Sequence, residues 1–271
     1  MSYRIPKVIA EIGCNHKGEM EIAFKLIKLA NDCGANVAKF QKRNPKELLT
    51  EEQYNTPHPN PINSYGETYG KHREFLEFSL DQHKELKKYS DGLGIEYSTS
   101  VWDTTSAEEI CQINPNLIKV PSACNNHFDM LSILRDNYNG DVHISLGMTT
   151  KEEENKIIDF FEDKGCLDRL IIYACTSGYP VPFNQTCLLE IKRLIDSYKD
   201  KVKSIGFSGH HLGIAIDISA YTLGAGWIER HFTRDRTWKG TDHAASLEPS
   251  GLSKLTRDLT ATHASLSFKE N

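Results

Sequence analysis

Eight times along the chain, a short run rich in Val, Ile, Tyr and Phe is followed by a longer amphipathic stretch. No other feature restricts the fold as much. The strand-like runs are residues 8–12, 37–41, 96–99, 117–120, 142–146, 170–174, 204–208 and 227–232, where β-branched and aromatic residues cluster. The helical patterns are residues 20–33, 81–93, 106–113, 128–137, 151–164, 184–199, 214–223 and 252–268. In the first of these, Ile22, Ala23, Leu26, Ile27, Leu29 and Ala30 share one face, as an amphipathic helix requires. Gly34, Gly94, Gly165 and Gly224 follow helical runs, where a left-handed residue ends a helix. Eight such units in succession predict an α/β chain closed into a (β/α)8 TIM barrel. Such a barrel takes about 250 residues, so the pattern predicts one domain over 1–271. On pattern alone an open doubly wound sheet is the competitor. No Gly-x-Gly-x-x-Gly follows the first strand to support it.

The rest of the composition narrows the function by exclusion. A net charge of -5 leaves no basic excess for nucleic acid and no polybasic block for anionic lipid. Attraction of an anionic substrate then falls to a local cluster of lysines. The apolar runs are too short to span a bilayer, and the opening Met-Ser-Tyr-Arg-Ile-Pro-Lys shows no signal-peptide pattern. Seven scattered cysteines without a Cys-x-x-Cys pair fit reduced thiols in a cytoplasmic protein. Cys124 and Cys175 lie in the segments that matter below. One connection stands out. Residues 43–79 form a polar stretch with several prolines and asparagines after the second strand, read as a long loop covering substrate.

In a barrel, catalysis sits where strands end. The expected strand ends carry Glu11, Lys39 with Gln41, Ser98 with Thr99, Lys119 with Ser122, Ser145, Thr176 with Ser177, Ser208 with His210, and Glu229 with His231. His210 and His231 fall on adjacent strands. They either share one divalent ion, with open positions for water and substrate, or cap their strands through hydrogen bonds. Lys39 and Lys119 with Thr99, Ser122, Ser145 and Ser208 suit a compact dianion such as phosphate. A snorkelling stem and a Schiff-base lysine are the other two readings. Glu11 and Glu229 are metal-shell ligands, acid/base groups, or ion-pair partners.

These residues sit in longer motifs. Ile9-Ala10-Glu11-Ile12-Gly13-x-Asn15-His16-x-Gly18 and Ala38-Lys39-Phe40-Gln41-Lys42 resemble the opening of the sialic acid synthase (N-acetylneuraminate synthase) family. Ser64-Tyr65-Gly66-x-Thr68-Tyr69-Gly70 is similar to its second loop. Ser208-Gly209-His210, Glu229-Arg230-His231 and the run from Trp238 to Pro249 are similar to its last two strand ends and the segment after them. The resemblance spans essentially the whole chain. It implies a barrel that joins phosphoenolpyruvate to N-acetylmannosamine, or its 6-phosphate, and releases inorganic phosphate. It also implies a divalent metal, Mn2+ or Mg2+, on His210 and His231. Lys39, Thr99, Lys119, Ser122, Ser145 and Ser208 would contact phosphoenolpyruvate, and Glu11 and Asp242 would face the metal and the sugar. A homodimer is expected by the same analogy.

Three departures fall on the sugar side. Family members usually carry a C-terminal antifreeze-like domain that lends an arginine to the partner's sugar site, whereas this sequence ends at Asn271. A separate antifreeze-like protein, or a different mode of holding the sugar, is expected in its place. The family's Ser-Gly-acidic-x-Asn-Asn reads Ser122-Ala123-Cys124-Asn125-Asn126 here, one residue shorter and without the carboxylate. Ser177 stands where bacterial members often have asparagine, and His211 is an unusual neighbour for a metal histidine. The competing functions are a related synthase acting on another aldehyde, such as a diacetamido hexose or arabinose phosphate, and a truncated barrel that binds without catalysis.

Overall fold

The computed structural model describes residues 3–269, so the expected span 1–271 runs past it at both ends. Eight parallel strands close on themselves in chain order: β1 (Lys7–Gly13), β2 (Val37–Lys42), β3 (Glu96–Val101), β4 (Leu117–Val120), β5 (Asp141–Ser145), β6 (Leu170–Cys175), β7 (Ser204–Gly209) and β8 (Trp227–His231). Each overlaps its predicted run. Helices Met20–Asp32, Leu80–Leu93, Thr104–Ile113, Phe128–Asp136, Lys151–Glu162, Glu190–Tyr198, Ala215–Thr222 and Pro249–Ser265 follow the strands in turn. Among the described residues, no helix is long and apolar enough to cross a membrane.

Side chains alternate between the two faces of a strand, and in a closed barrel one face is interior. Outward residues such as Ala10, Ile12, Ala38, Phe40, Tyr97, Ile118, Ile144, Ile172 and Phe207 pack in the large apolar cluster under the helices. Inward residues form two layers. Ile9, Val37, Leu117, Ile171, Tyr173 and Trp227 make a separate apolar plug. Above it, two positions further along their strands, come Glu11, Lys39, Lys119 and Glu229, each at most 7% exposed. Glycine makes room at one point in this interior: a Cβ on Gly206 would lie 2.4 Å from the Tyr173 ring. At the end of β1 the register with β2 slips between Glu11 and Gly13. Gly13 takes φ +55 there, which lets this bulged strand turn away while Glu11 stays inside.

Two expectations need correction. Residues 43–79 are not an irregular loop. They fold into Pro45–Leu48, Glu51–Asn55, the 3-10 turn Pro61–Asn63 and Tyr69–Leu76. Local caps do this: Thr50 and Gln53 form a capping box, and Thr68 accepts from the Lys71 amide. The Arg43–Glu77 ion pair ties the segment's ends together. The helix expected over 184–199 is Glu190–Tyr198 instead. Cys187 sits at φ +50, which breaks the helical path, and the residues before it form the 3-10 turn Phe183–Gln185.

Burial of histidines gives the fold an acid limit. His83 is fully buried with Nδ1 2.7 Å from the Tyr97 hydroxyl, and His16 stacks on Phe78 at 4.0 Å. Burial pushes both imidazoles down to about 3. An unfolded histidine takes its proton near 6.5, so this stability is complete above that pH and is lost as the pH falls towards 3. At pH 5 each contributes a loss of up to roughly 2 kcal/mol. Urea unfolding at pH 7.5 and pH 5 should show a smaller acid loss in His83→Gln than in the wild type. Equal losses would refute the assignment.

Candidate active site

One end of the barrel opens into a cavity of about 220 Å³. Its lining comes from every strand end: Glu11, Lys39, Gln41, Ser100, Trp102, Lys119, Ser122, Ser145, Cys175, Ser177, Tyr179, Ser208, His210, Glu229 and His231 among others. It lies at the C-terminal ends of the strands, the catalytic face of this architecture. The structure thus brings ten of the twelve expected site residues to one cavity; Asp242 stands outside its lining and Thr99 is the exception.

Thr99 pairs in register with Phe40, and both share the outward face, whereas Gln41 and Lys39 pair with Ser100 and Ser98. Ser100 Oγ accepts from Lys39 Nζ at 2.7 Å and is the β3 hydroxyl in the cavity. Ser98 lies deeper and donates to the Leu117 carbonyl. The signal that separates Ser100 from Thr99 was the apolar parity of Tyr97 and Val101. Asp242 stands at the rim, with Oδ2 3.9 Å from His231 Nδ1. Trp102 and Tyr179 were missed because each follows its strand by one or more residues.

The charged layer is a four-membered network. Glu229 accepts from Lys119 Nζ at 3.0 and 2.9 Å and from Ser208 Oγ at 3.0 Å, and lies 3.7 Å from Lys39 Nζ. Glu11 is 2.5 Å from Lys39 Nζ and accepts from Gln41 Nε2 at 2.7 Å. The Lys119 ammonium rests 3.8 Å above the Tyr173 ring, whose hydroxyl meets His143 Nδ1 at 2.7 Å. Burial pulls the two carboxylates upward. For Glu229 the two lysines outweigh burial and hold it below the usual range. For Glu11 burial wins, with Lys39 offsetting part of it, so its pKa is raised above the usual carboxylate range. Burial lowers Lys119, and Glu229 restores part of the shift.

The histidines lie across from this network, with ring centroids 5.4 Å apart. His210 Nδ1 is 3.0 Å from the Thr176 carbonyl, which can only accept, so Nδ1 carries the hydrogen. In the neutral ring Nε2 then keeps a free lone pair. Burial lowers His231, with Asp242 opposing, and its Nδ1 is buried without a hydrogen-bond partner. The unpartnered His231 Nδ1 and the His210 Nε2 lone pair beside a rim carboxylate fit a divalent ion that takes its other ligands from substrate and water. Among the described residues, no group of three or more His, Cys, Asp or Glu is placed to hold a metal by itself. Cys175 is shifted down from its ordinary value, because His210, Lys119 and Ser122 outweigh burial.

The NeuB family model matches residues 26–271. The chain belongs to the NeuB family. Its relatives include the N-acetylneuraminate-9-phosphate synthase of Homo sapiens, 36% identical over 96% of this chain and 70% of that protein. The N,N'-diacetyllegionaminic acid synthase of Campylobacter jejuni is 31% identical over 92% of this chain and 73% of that one. Among solved structures, the N-acetylneuraminic acid synthetase of Leptospira borgpetersenii superposes with a TM-score of 0.85 at 27% identity, covering 98% of this chain and 87% of that one. Membership makes the chain an enzyme of the sialic-type sugar synthases.

The parity of β3 yields a direct check. Ser100→Ala should weaken phosphoenolpyruvate binding about tenfold, the cost of one hydrogen bond to a charged group. Thr99→Val should leave it unchanged. Titration calorimetry with phosphoenolpyruvate distinguishes them, and the reverse order would overturn the placement of both residues.

Proposed function

We propose that this protein condenses phosphoenolpyruvate with N-acetylmannosamine, or its 6-phosphate, to give the sialic acid and inorganic phosphate. The observation that supports it most is the convergence of two buried lysines and a ring of hydroxyls on one cavity. Lys39 and Lys119 place two buried ammonium groups at one cavity. That suits a small polyanion where a neutral sugar alone would not need it. Lys39 and Lys119 serve as point charges for phosphate and carboxylate, and Ser100, Ser122, Ser145, Ser177 and Ser208 supply the hydroxyls.

Carbon 3 of phosphoenolpyruvate attacks the aldehyde carbon, and the carbonyl oxygen becomes a hydroxyl. Carbon 2 is left electron-poor, takes up water, and the resulting tetrahedral carbon expels phosphate. His210 and His231 are the residues that would hold a divalent ion, Mn2+ by preference, with Asp242 facing it from the rim; when bound, it would supply Lewis-acid polarisation of the aldehyde. Lys39 and Lys119 are already fixed where charge grows on the phosphate, so no reorganisation is needed. Glu11, the carboxyl with the raised pKa, is the group suited to moving the proton, while Glu229 stays ionised and holds the lysines. A Schiff-base role is disfavoured, since each ammonium is engaged by a carboxylate. The free thiols agree with a cytoplasmic setting.

Relatives named for legionaminic and pseudaminic acids keep a diacetamido hexose open as the aldehyde. The test is phosphate release from phosphoenolpyruvate with Mn2+ and a panel of N-acetylmannosamine, its 6-phosphate, a diacetamido hexose and arabinose phosphate. Turnover should be greatest with one of the first two. His231→Ala should cut it at least a hundredfold, and Glu11→Gln should lower kcat more than it raises KM for phosphoenolpyruvate. A diacetamido hexose outrunning both would replace the sugar, and no release with any aldehyde would sink the condensation itself.

A further inference from the structure

Behind the two cavity histidines, on the outer face of the same strand ends, lies a second charged cluster that no step above uses. Arg230 sits between Glu229 and His231, and alternation along β8 sends its side chain outward while theirs point in. It is 1% exposed; Asp217 and His211, its neighbours, are 0% exposed. One guanidinium makes most of the contacts. Nη2 donates to the His211 carbonyl at 2.6 Å, and Nη1 donates to the Gly213 carbonyl at 2.8 Å and to Asp217 Oδ2 at 2.5 Å. His211 Nε2 lies 3.1 Å from Nη1 and 3.3 Å from Asp217 Oδ2, closing the triangle.

The contacts join three elements. Arg230 belongs to β8, and His211 and Gly213 belong to the turn that leaves β7. Asp217 stands in the first turn of the helix Ala215–Thr222. His210 lies inside that turn, one residue before His211. The turn is packed without slack: a Cβ on Gly209 would fall 2.8 Å from His211 Cε1, so the ring lies against the backbone that precedes His210. The His210 carbonyl accepts from the Val181 amide at 3.0 Å, and its ring is held by Thr176. One direct link between the settings of His210 and His231 thus passes through the Arg230 fork, because Arg230 is bonded to one histidine's chain neighbour and is the other's.

We propose that Arg230, Asp217 and His211 are positioning residues that fix the spacing of His210 and His231 for a divalent cation. The proposal rests on the reading that those two histidines hold the ion. A fully buried arginine–carboxylate pair adds little stability compared with an apolar replacement, so stability alone is a weak reason for it. A planar fork that bonds two carbonyls and a carboxylate at once fixes direction, which a lysine in its place would not do. Residues that orient metal ligands from behind typically alter affinity 10–100-fold when changed.

The experiment is Mn2+ titration followed by the paramagnetic resonance signal of free Mn2+, with thermal unfolding measured in parallel. Asp217→Asn and Arg230→Lys should bind Mn2+ about 10–100-fold more weakly than wild type at a temperature where both are folded. His211→Gln, which leaves the Arg230–Asp217 pair in place, should show a smaller loss in the same direction and carries the test if the other two do not fold. His231→Ala is the control for the site. If it loses Mn2+ while all three variants bind as the wild type does, with only their melting temperatures lowered, the cluster is structural and the proposal is overturned. If His231→Ala binds Mn2+ as tightly as wild type, the metal reading itself falls and takes this proposal with it.

Discussion

Two ammonium groups cannot be buried side by side in a barrel mouth unless an anion is fixed between them, and Glu229 is that anion. It takes two contacts from Lys119, one from Ser208, and lies within 3.7 Å of Lys39. Removing one member of such a group leaves an uncompensated buried charge, which costs several kcal/mol. The network is therefore stiff as well as charged. Stiffness is what a site for a small polyanion needs, since charges already in place stabilise a transition state without moving. Tyr173 is the floor beneath it, filling the space that Gly206 leaves and facing Lys119 with its ring.

The barrel supplies this arrangement through parity. Each strand contributes alternate residues to the interior, so an apolar plug and a charged layer can be stacked two residues apart. The same parity turns Arg230 and Phe40 outward, where one meets Asp217 and the other the helical layer. A strand end thus has two chemical faces. The inner face meets substrate, and the outer face holds the turns that follow. The folded segment 43–79 meets the stretch after β8, with the Tyr65 hydroxyl donating to the Lys239 carbonyl at 2.6 Å.

Much of this was legible in the order of residues. Short β-branched runs separated by amphipathic helices carry enough information to count eight units, and strand-end polarity located Lys39, Lys119, Glu229, His210 and His231. Thr99 was misplaced because a short strand with hydroxyls at three consecutive positions hints at its inward face only through the flanking Tyr97 and Val101; pairing with β2 decides it. The segment 43–79 read as a loop because its helices are four to eight residues long, below the length at which periodicity shows. The distinction between Glu11 and Glu229 was out of reach for a different reason. Both are strand-end carboxylates in sequence, and only the count of lysines around each separates them.

The central claim is that the Lys39–Glu229–Lys119 layer is an anion site. Calorimetric titration of phosphoenolpyruvate into wild type and into Lys119→Met tests it most directly, because methionine keeps the unbranched stem, one atom shorter, without its charge. The account predicts measurable binding to wild type and a loss of about a hundredfold or more in the variant, with unfolding still cooperative. Unchanged affinity in a folded Lys119→Met protein would contradict it.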